Sequence, residues 1–252
     1  MLHPWWSRNP ECVRNAVVIA TSALVVFSAC GGTAAPREVR EQRVATTPAV
    51  AERCPVDTDP PPMGSVDIAT RKVAQLPAGP LYWKLETFPT VVAAQGAAAP
   101  TSLVGEAEGL VWLFTLGPKG EASAGGAYVA DVGPLPPVRA AGEYLLRATE
   151  GIAKPGTGSE VHSHPGSESW YLLGGQQTVC TVSGVFHTEA GQSAAGWPGG
   201  TALRVLSTGT VERRAFALFV LDAARPVKAP AALSLPDVNP PTEPGSTTRL
   251  TP

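Results

Sequence analysis

The chain has 252 residues, room for one ordinary domain with tails. Gly and Pro supply 26 residues each, about a fifth of the chain, and charged residues supply 16%, against roughly 12% and about 25% in typical soluble domains. That composition argues against a helical bundle and for short strands joined by turns. A net charge of −2 leaves no basic excess to hold a nucleic-acid backbone.

In chain order the first signal is an address. Arg8 and Arg14 precede an uncharged apolar run over residues 16–29, AVVIATSALVVFSA. As a helix these 14 residues reach about 21 Å, short of a ~30 Å hydrocarbon core. A basic flank, a short apolar stretch and small residues at its end predict an export signal peptide over 1–29. The run closes Phe27-Ser28-Ala29-Cys30-Gly31, which resembles the lipobox of bacterial lipoproteins, with Phe27 where that family prefers Leu. The resemblance implies cleavage before Cys30, lipidation of Cys30, and an exported protein anchored by lipid in the bacterial cell envelope. The competing readings are an ordinary signal peptide, or an uncleaved anchor with an incidental Cys30. On the lipoprotein reading Cys12 leaves with the signal and Cys30 is blocked. Cys54 and Cys180 then remain as one even pair in a disulfide-permissive compartment, where a bridge would staple the linker to the folded domain.

Residues 30–63 lack apolar periodicity and close on Pro60-Pro61-Pro62, which predicts a lipidated tether. The folded part is expected over 64–225. Phe88-Pro89 opens a short run, TVVAAQGAAA, that suits one small helix ended by Gly96 and Pro100. Strand-like runs follow over 103–108, 110–117, 127–133, 143–149, 160–164, 169–175, 177–184, 185–191, 202–209 and 213–222, separated by Gly or Pro turns. That rhythm predicts an antiparallel sandwich or barrel. The stretch 226–252 carries seven prolines and few large apolar residues, so a Pro-rich, loosely draped tail is expected. The chain contains no glycine-rich phosphate loop, G-x-S-x-G elbow, CxxC pair or HExxH.

Chemistry is concentrated between Gly156 and Gly175. Successive strand side chains alternate faces, so His162 and His164 point the same way. Pro165-Gly166 turns the chain, and the next strand can return Glu168 beside them. Two imidazoles and one carboxylate form a facial set with open positions, suited to Fe(II), Mn(II), Zn(II) or Ni(II). The competing reading makes the histidines hydrogen-bonded groups of a polar pocket. Glu160 shares parity with both histidines and is a further pocket candidate, with a solvated strand end as its alternative. His187 is a candidate from a neighbouring strand, or a surface histidine at a hairpin end. Trp170, Leu172 and Leu203 would narrow the pocket, or serve as ordinary core. Arg147 and Arg204 could clamp a carboxylate, or face solvent.

The spacing G-x5-H-x-H-x3-E-x6-G, met by Gly156, His162, His164, Glu168 and Gly175, resembles the first motif of the cupin superfamily. The resemblance implies an all-β jelly-roll barrel with core 143–222, an N-terminal extension of strands and a short helix lying against it, and a motif lining an interior pocket. It also implies a divalent metal held by His162, His164 and Glu168, a small-molecule ligand, and a homodimer paired through sheet edges. The family's second motif, G-x5-P-x-G-x2-H-x3-N, is degenerate here. Gly191 leads after six residues to Pro198-Gly199-Gly200, Leu203 stands at the position of the fourth ligand, and Ser207 replaces the asparagine. Two functions follow: an envelope-anchored metal-binding cupin, with or without catalysis, or a metal-free binding or accessory module.

Overall fold

The computed structural model describes Cys54 and residues 60–233. Cys30, the signal segment 1–29, nearly all of the tether and residues 234–252 lie outside the described residues. Among the described residues, no helix is long and apolar enough to cross a membrane.

The elements in chain order are β1 (Val66–Val73), β2 (Tyr82–Phe88), α1 (Val91–Ala97), β3 (Ser102–Ala107), β4 (Leu110–Gly117), β5 (Ala127–Val132), β6 (Tyr144–Ala153), β7 (His162–Ser163), β8 (Gly166–Gly174), β9 (Gln176–Thr181), β10 (Gly184–Glu189), β11 (Ser193–Trp197), β12 (Leu203–Ser207), β13 (Arg213–Asp222) and β14 (Ala229–Pro230). They form three antiparallel sheets, ordered β1-β6-β13-β8-β11, β10-β9-β12-β7-β14 and β3-β4-β2-β5. The all-β class expected from the turn rhythm is the class observed. The predicted helix is α1, with the Thr90 hydroxyl accepting from the Ala93 amide at 3.1 Å.

Four strands fall outside the expected set. β1 is an edge strand with mostly exposed side chains, so it shows no buried alternation; its ladder to β6 holds it in place. β2 does alternate, burying Trp83 and Leu85. β11 is polar and small, and is bent by a bulge against β8 between Ala194 and Trp197. At Gly196 φ is +87°, and an added Cβ would fall 1.6 Å from the Glu168 carbonyl oxygen. Only glycine lets the bulge close on the strand that carries Glu168. β14 is two residues long, within the stretch expected as tail, and pairs Ala229 with Ser163 and Pro230 with His162.

β13 explains the layering. Its sequence RRAFALFVLD is buried on both faces, so it lacks a polar side. Phe216, Leu218 and Val220 share a core with Leu146 and Ala148 of β6 and with Trp83, Leu85 and Phe114 of the four-stranded sheet. Trp112, Phe114 and Phe216 meet edge to face at 4.8 and 5.2 Å. The odd-numbered residues Arg213, Ala215, Ala217 and Phe219 face the interior between the two five-stranded sheets. The segment 82–132 therefore lies against the outer face of one barrel sheet, whereas β1 is a member of that sheet. A disulfide joins Cys54 to Cys180 on β9, and Pro62 bridges Gly158, so the end of the expected tether is fastened along the barrel.

Candidate metal centre

His162 lies on β7, His164 just beyond it, and Glu168 on β8. These strands are not hydrogen-bonded neighbours. β7 sits between β12 and β14 in one sheet, β8 between β13 and β11 in the other, and Pro165-Gly166 carries the chain across. The facial set is thus built across the barrel interior, a closer convergence than a flat hairpin would give. The crossing is tight: a Cβ on Gly166 would fall 2.0 Å from the Val220 carbonyl oxygen. The Pro198-Gly199-Gly200 turn supports it, with the Gly200 amide donating to the His164 carbonyl at 2.8 Å.

All three side chains are buried, His162 at 6%, His164 at 8% and Glu168 at 6% exposure. His162 Nδ1 donates to the Glu160 carbonyl at 2.8 Å, and His164 Nδ1 donates to the Val227 carbonyl at 2.5 Å. A carbonyl only accepts, so both Nδ1 atoms carry the hydrogen, and each neutral ring presents its Nε2 lone pair. One potential ligand atom from each of the three residues lies within 4.8 Å of the others. His164 Nε2 and Glu168 Oε2 stand 3.3 Å apart, and both are buried without a hydrogen-bond partner. Buried polar atoms seldom stay unpaired, and a cation between them would satisfy both.

Electrostatics distinguish the two imidazoles. Burial pushes the His162 ring below the usual histidine range, against the opposing pull of the Glu160 carbonyl and Glu168. Burial also acts downward on His164, but contact with Glu168 and the Val227 carbonyl outweigh it, and its affinity for a proton is raised. His162 therefore offers a free lone pair at neutral pH. At His164 a proton and a divalent ion would compete for the same Nε2 lone pair beside Glu168. The donor set, two neutral-capable imidazoles and a carboxylate with their outer nitrogens oriented by backbone, fits a borderline divalent metal.

A cavity of about 270 Å³ adjoins the three residues, with Arg147, Arg213, Trp170 and Phe219 on its walls. Trp170 lies on this wall and also in the apolar cluster beneath it. Glu160 does not: it is exposed, and its contribution is the backbone carbonyl. The parity argument fails because β7 has only two residues, so alternation does not extend back to 160. Leu203 is the register partner of His162, yet it and Leu172 join the apolar cluster of Trp170, Val179, Val205 and Ala215 and are not on the cavity wall. Its place in the ladder opposite His162 is kept, and it offers no donor atom. His187 is exposed on β10, in hydrogen-bond contact with Thr178 at 2.9 Å, away from the cavity. Arg147 reaches the cavity, paired to Asp67 at 2.6 Å and 5.4 Å over the Phe219 ring. Arg204 is buried elsewhere, donating to the Ser159 carbonyl at 3.2 Å.

Two features were not expected from sequence. Val227, in the Pro-rich stretch, orients His164 through its backbone, which no side-chain pattern reveals. Arg213 enters the barrel from β13; its alternation with Ala215, Ala217 and Phe219 is the signal that marks an inner face.

No family model matches the chain, and no curated protein matches it. The chain is similar to several solved structures. An uncharacterized Klebsiella pneumoniae protein with a double-stranded beta-helix domain is 22% identical over 34% of this chain and 75% of its own, with a TM-score of 0.31. A Cupin 2 conserved barrel domain protein from Salinispora arenicola is 22% identical over 31% of this chain and 65% of its own, with a TM-score of 0.28. Lactobacillus farciminis oxalate decarboxylase is 22% identical over 34% of this chain, which spans 26% of that enzyme, with a TM-score of 0.29.

Proposed function

We propose that the chain is an envelope-anchored cupin lipoprotein whose barrel binds a divalent metal, Fe, Mn, Zn or Ni, through His162, His164 and Glu168, and a small molecule in the adjoining cavity. The observation that carries the reading is the pair of buried donor atoms without a hydrogen-bond partner, His164 Nε2 and Glu168 Oε2, facing each other at 3.3 Å. When bound, such an ion supplies Lewis acidity and open positions for ligand or water. The chain's own residues orient it: Glu160 and Val227 carbonyls fix the imidazoles, and Trp170 and Phe219 limit water around them. Titration of the metal-free protein with Co(II), followed by its visible absorption, is expected to saturate at one ion per chain with the spectrum of a nitrogen- and oxygen-ligated site. A featureless, unsaturating titration would contradict it. For the anchor, Cys30→Ser is expected to abolish incorporation of labelled fatty acid and release the protein from membranes; unchanged labelling would remove the lipid from the proposal.

A second reading has an observation of its own. Leu203 removes the fourth donor, and the His164–Glu168 contact is an ion pair without any metal. A metal-free ligand-binding or accessory module, without catalysis, would then be the function.

A further inference from the structure

The cation that the metal reading leaves unused is Arg213. It is 4% exposed and lies on the wall of the same cavity. Its Nε donates to Gln177 Oε1 at 2.7 Å, Nη2 donates to the same oxygen, and Nη1 donates to the Gly151 carbonyl at 3.5 Å. Those acceptors are neutral. Among the described residues no carboxylate forms an ion pair with Arg213, and Glu168 acts on it only through space. Burial lowers its pKa to about 10, against the pull of Glu168, so it stays charged at neutral pH. The other guanidinium on the wall, Arg147, is already matched by Asp67, and Lys228 is exposed. Beside Arg213, the Gln177 amide has its oxygen committed to the guanidinium, which leaves its fully buried Nε2 a donor without an acceptor.

The position of this cation matters as much as its charge. Arg213 begins the inner face of β13 and its guanidinium reaches Gly151, the register partner of Ala215; Phe219 lies four residues beyond Ala215, about 13 Å along the strand between Cα atoms. Phe219 marks the metal end: it is the register partner of Glu168, and its ring is 5.0 Å from that of His164. Between the two ends the inner face carries only Ala215 and Ala217, with Trp170 beside them. Small side chains make this stretch of the cavity wall low and apolar, with a buried cation toward one end and the ligand set at the other.

We infer that the cavity binds a small organic acid, its carboxylate gripped by Arg213 and its apolar body lying over Ala215 and Ala217 beside Trp170, directed toward the metal position. This rests on the reading of the barrel as a ligand pocket beside a metal. A guanidinium fork matches a carboxylate in two parallel hydrogen bonds, and a desolvated one without a counter-ion has most to gain from it. An inorganic oxyanion would satisfy the charge but make no use of the apolar wall at Ala217 and Trp170.

The test is calorimetric titration of the full-length protein, in detergent, with straight-chain C2–C8 mono- and dicarboxylates, with the primary amide of each, and with inorganic phosphate. Each is measured with and without Mn(II) loading. The expected result is at least one acid binding about tenfold or more tightly than its amide and than phosphate, as a charge-assisted fork requires. Arg213→Gln should abolish that preference while leaving Mn(II) uptake unchanged. Arg213→Lys, which keeps the charge without the fork, should retain part of it. Should Arg213→Gln fail to fold, Ala217→Leu supplies the second arm by raising this wall, and is expected to exclude the longer acids while acetate still binds. The inference is overturned if no acid is preferred over its amide, if phosphate binds as well as the acids, or if the preference survives Arg213→Gln. Absence of Mn(II) uptake together with an Arg213-dependent acid preference would overturn the metal reading and leave this one standing.

Discussion

At the residue scale, the legible part of the site is the part written in spacing. His162, His164 and Glu168 converge because one histidine on a two-residue strand, one just beyond it and a carboxylate two positions past the Pro165-Gly166 crossing reach one point between facing sheets. The illegible part is backbone and distance. Val227 acts through a carbonyl 63 positions from His164, and Arg213 meets Gly151 and Gln177 only once β13, β6 and β9 are assembled. Glu160 misled because parity was extended beyond a two-residue strand. Glu168→Gln tests the role of charge here. It keeps the shape but removes the anionic donor, so Co(II) affinity is expected to fall by more than about tenfold with the fold retained; unchanged affinity would place the carboxylate outside the site.

At the element scale, the informative finding concerns the two ends of the described region. Ala229 and Pro230 pair with β7, and the Val227 carbonyl orients His164, so the first residues of the Pro-rich stretch belong to the site. Composition favours a tail there because a proline-rich segment buries little surface; two ladder contacts and one carbonyl hold it instead. Deleting 226–252 removes the acceptor for His164 Nδ1 and exposes β7. Loss of such a supporting hydrogen bond commonly costs 10–100-fold in metal affinity, and a fall of about that size is expected with circular dichroism unchanged. Full affinity in the truncated protein would mean that Val227 is dispensable.

At the scale of the whole molecule, the all-β class was readable from Gly and Pro turns at near-regular spacing, and most strands of the barrel from their apolar runs. The division of labour between sheets was not, because a strand buried on both faces shows no alternation to say which neighbour lies on which side. β13 is that strand, with one face toward the barrel interior and the other in the core shared with the segment 82–132. Phe216 is fully buried in that shared core, so Phe216→Ala is expected to cost roughly 3–5 kcal/mol. Since the face it opens backs directly onto the barrel, tryptophan fluorescence and far-ultraviolet circular dichroism should still report one coincident urea transition. Two separated transitions would show that the outer sheet unfolds on its own.

Whether a metal sits between the two sheets decides the chemistry of the barrel. The direct measurement is elemental analysis by inductively coupled plasma mass spectrometry of protein purified without chelator or affinity metal, beside the His162→Ala/His164→Ala double variant. Near-stoichiometric Fe, Mn, Zn or Ni in the wild type, and its loss in the double variant, is the predicted result. No bound metal after reconstitution with each of those ions, or equal metal in both proteins, would contradict it.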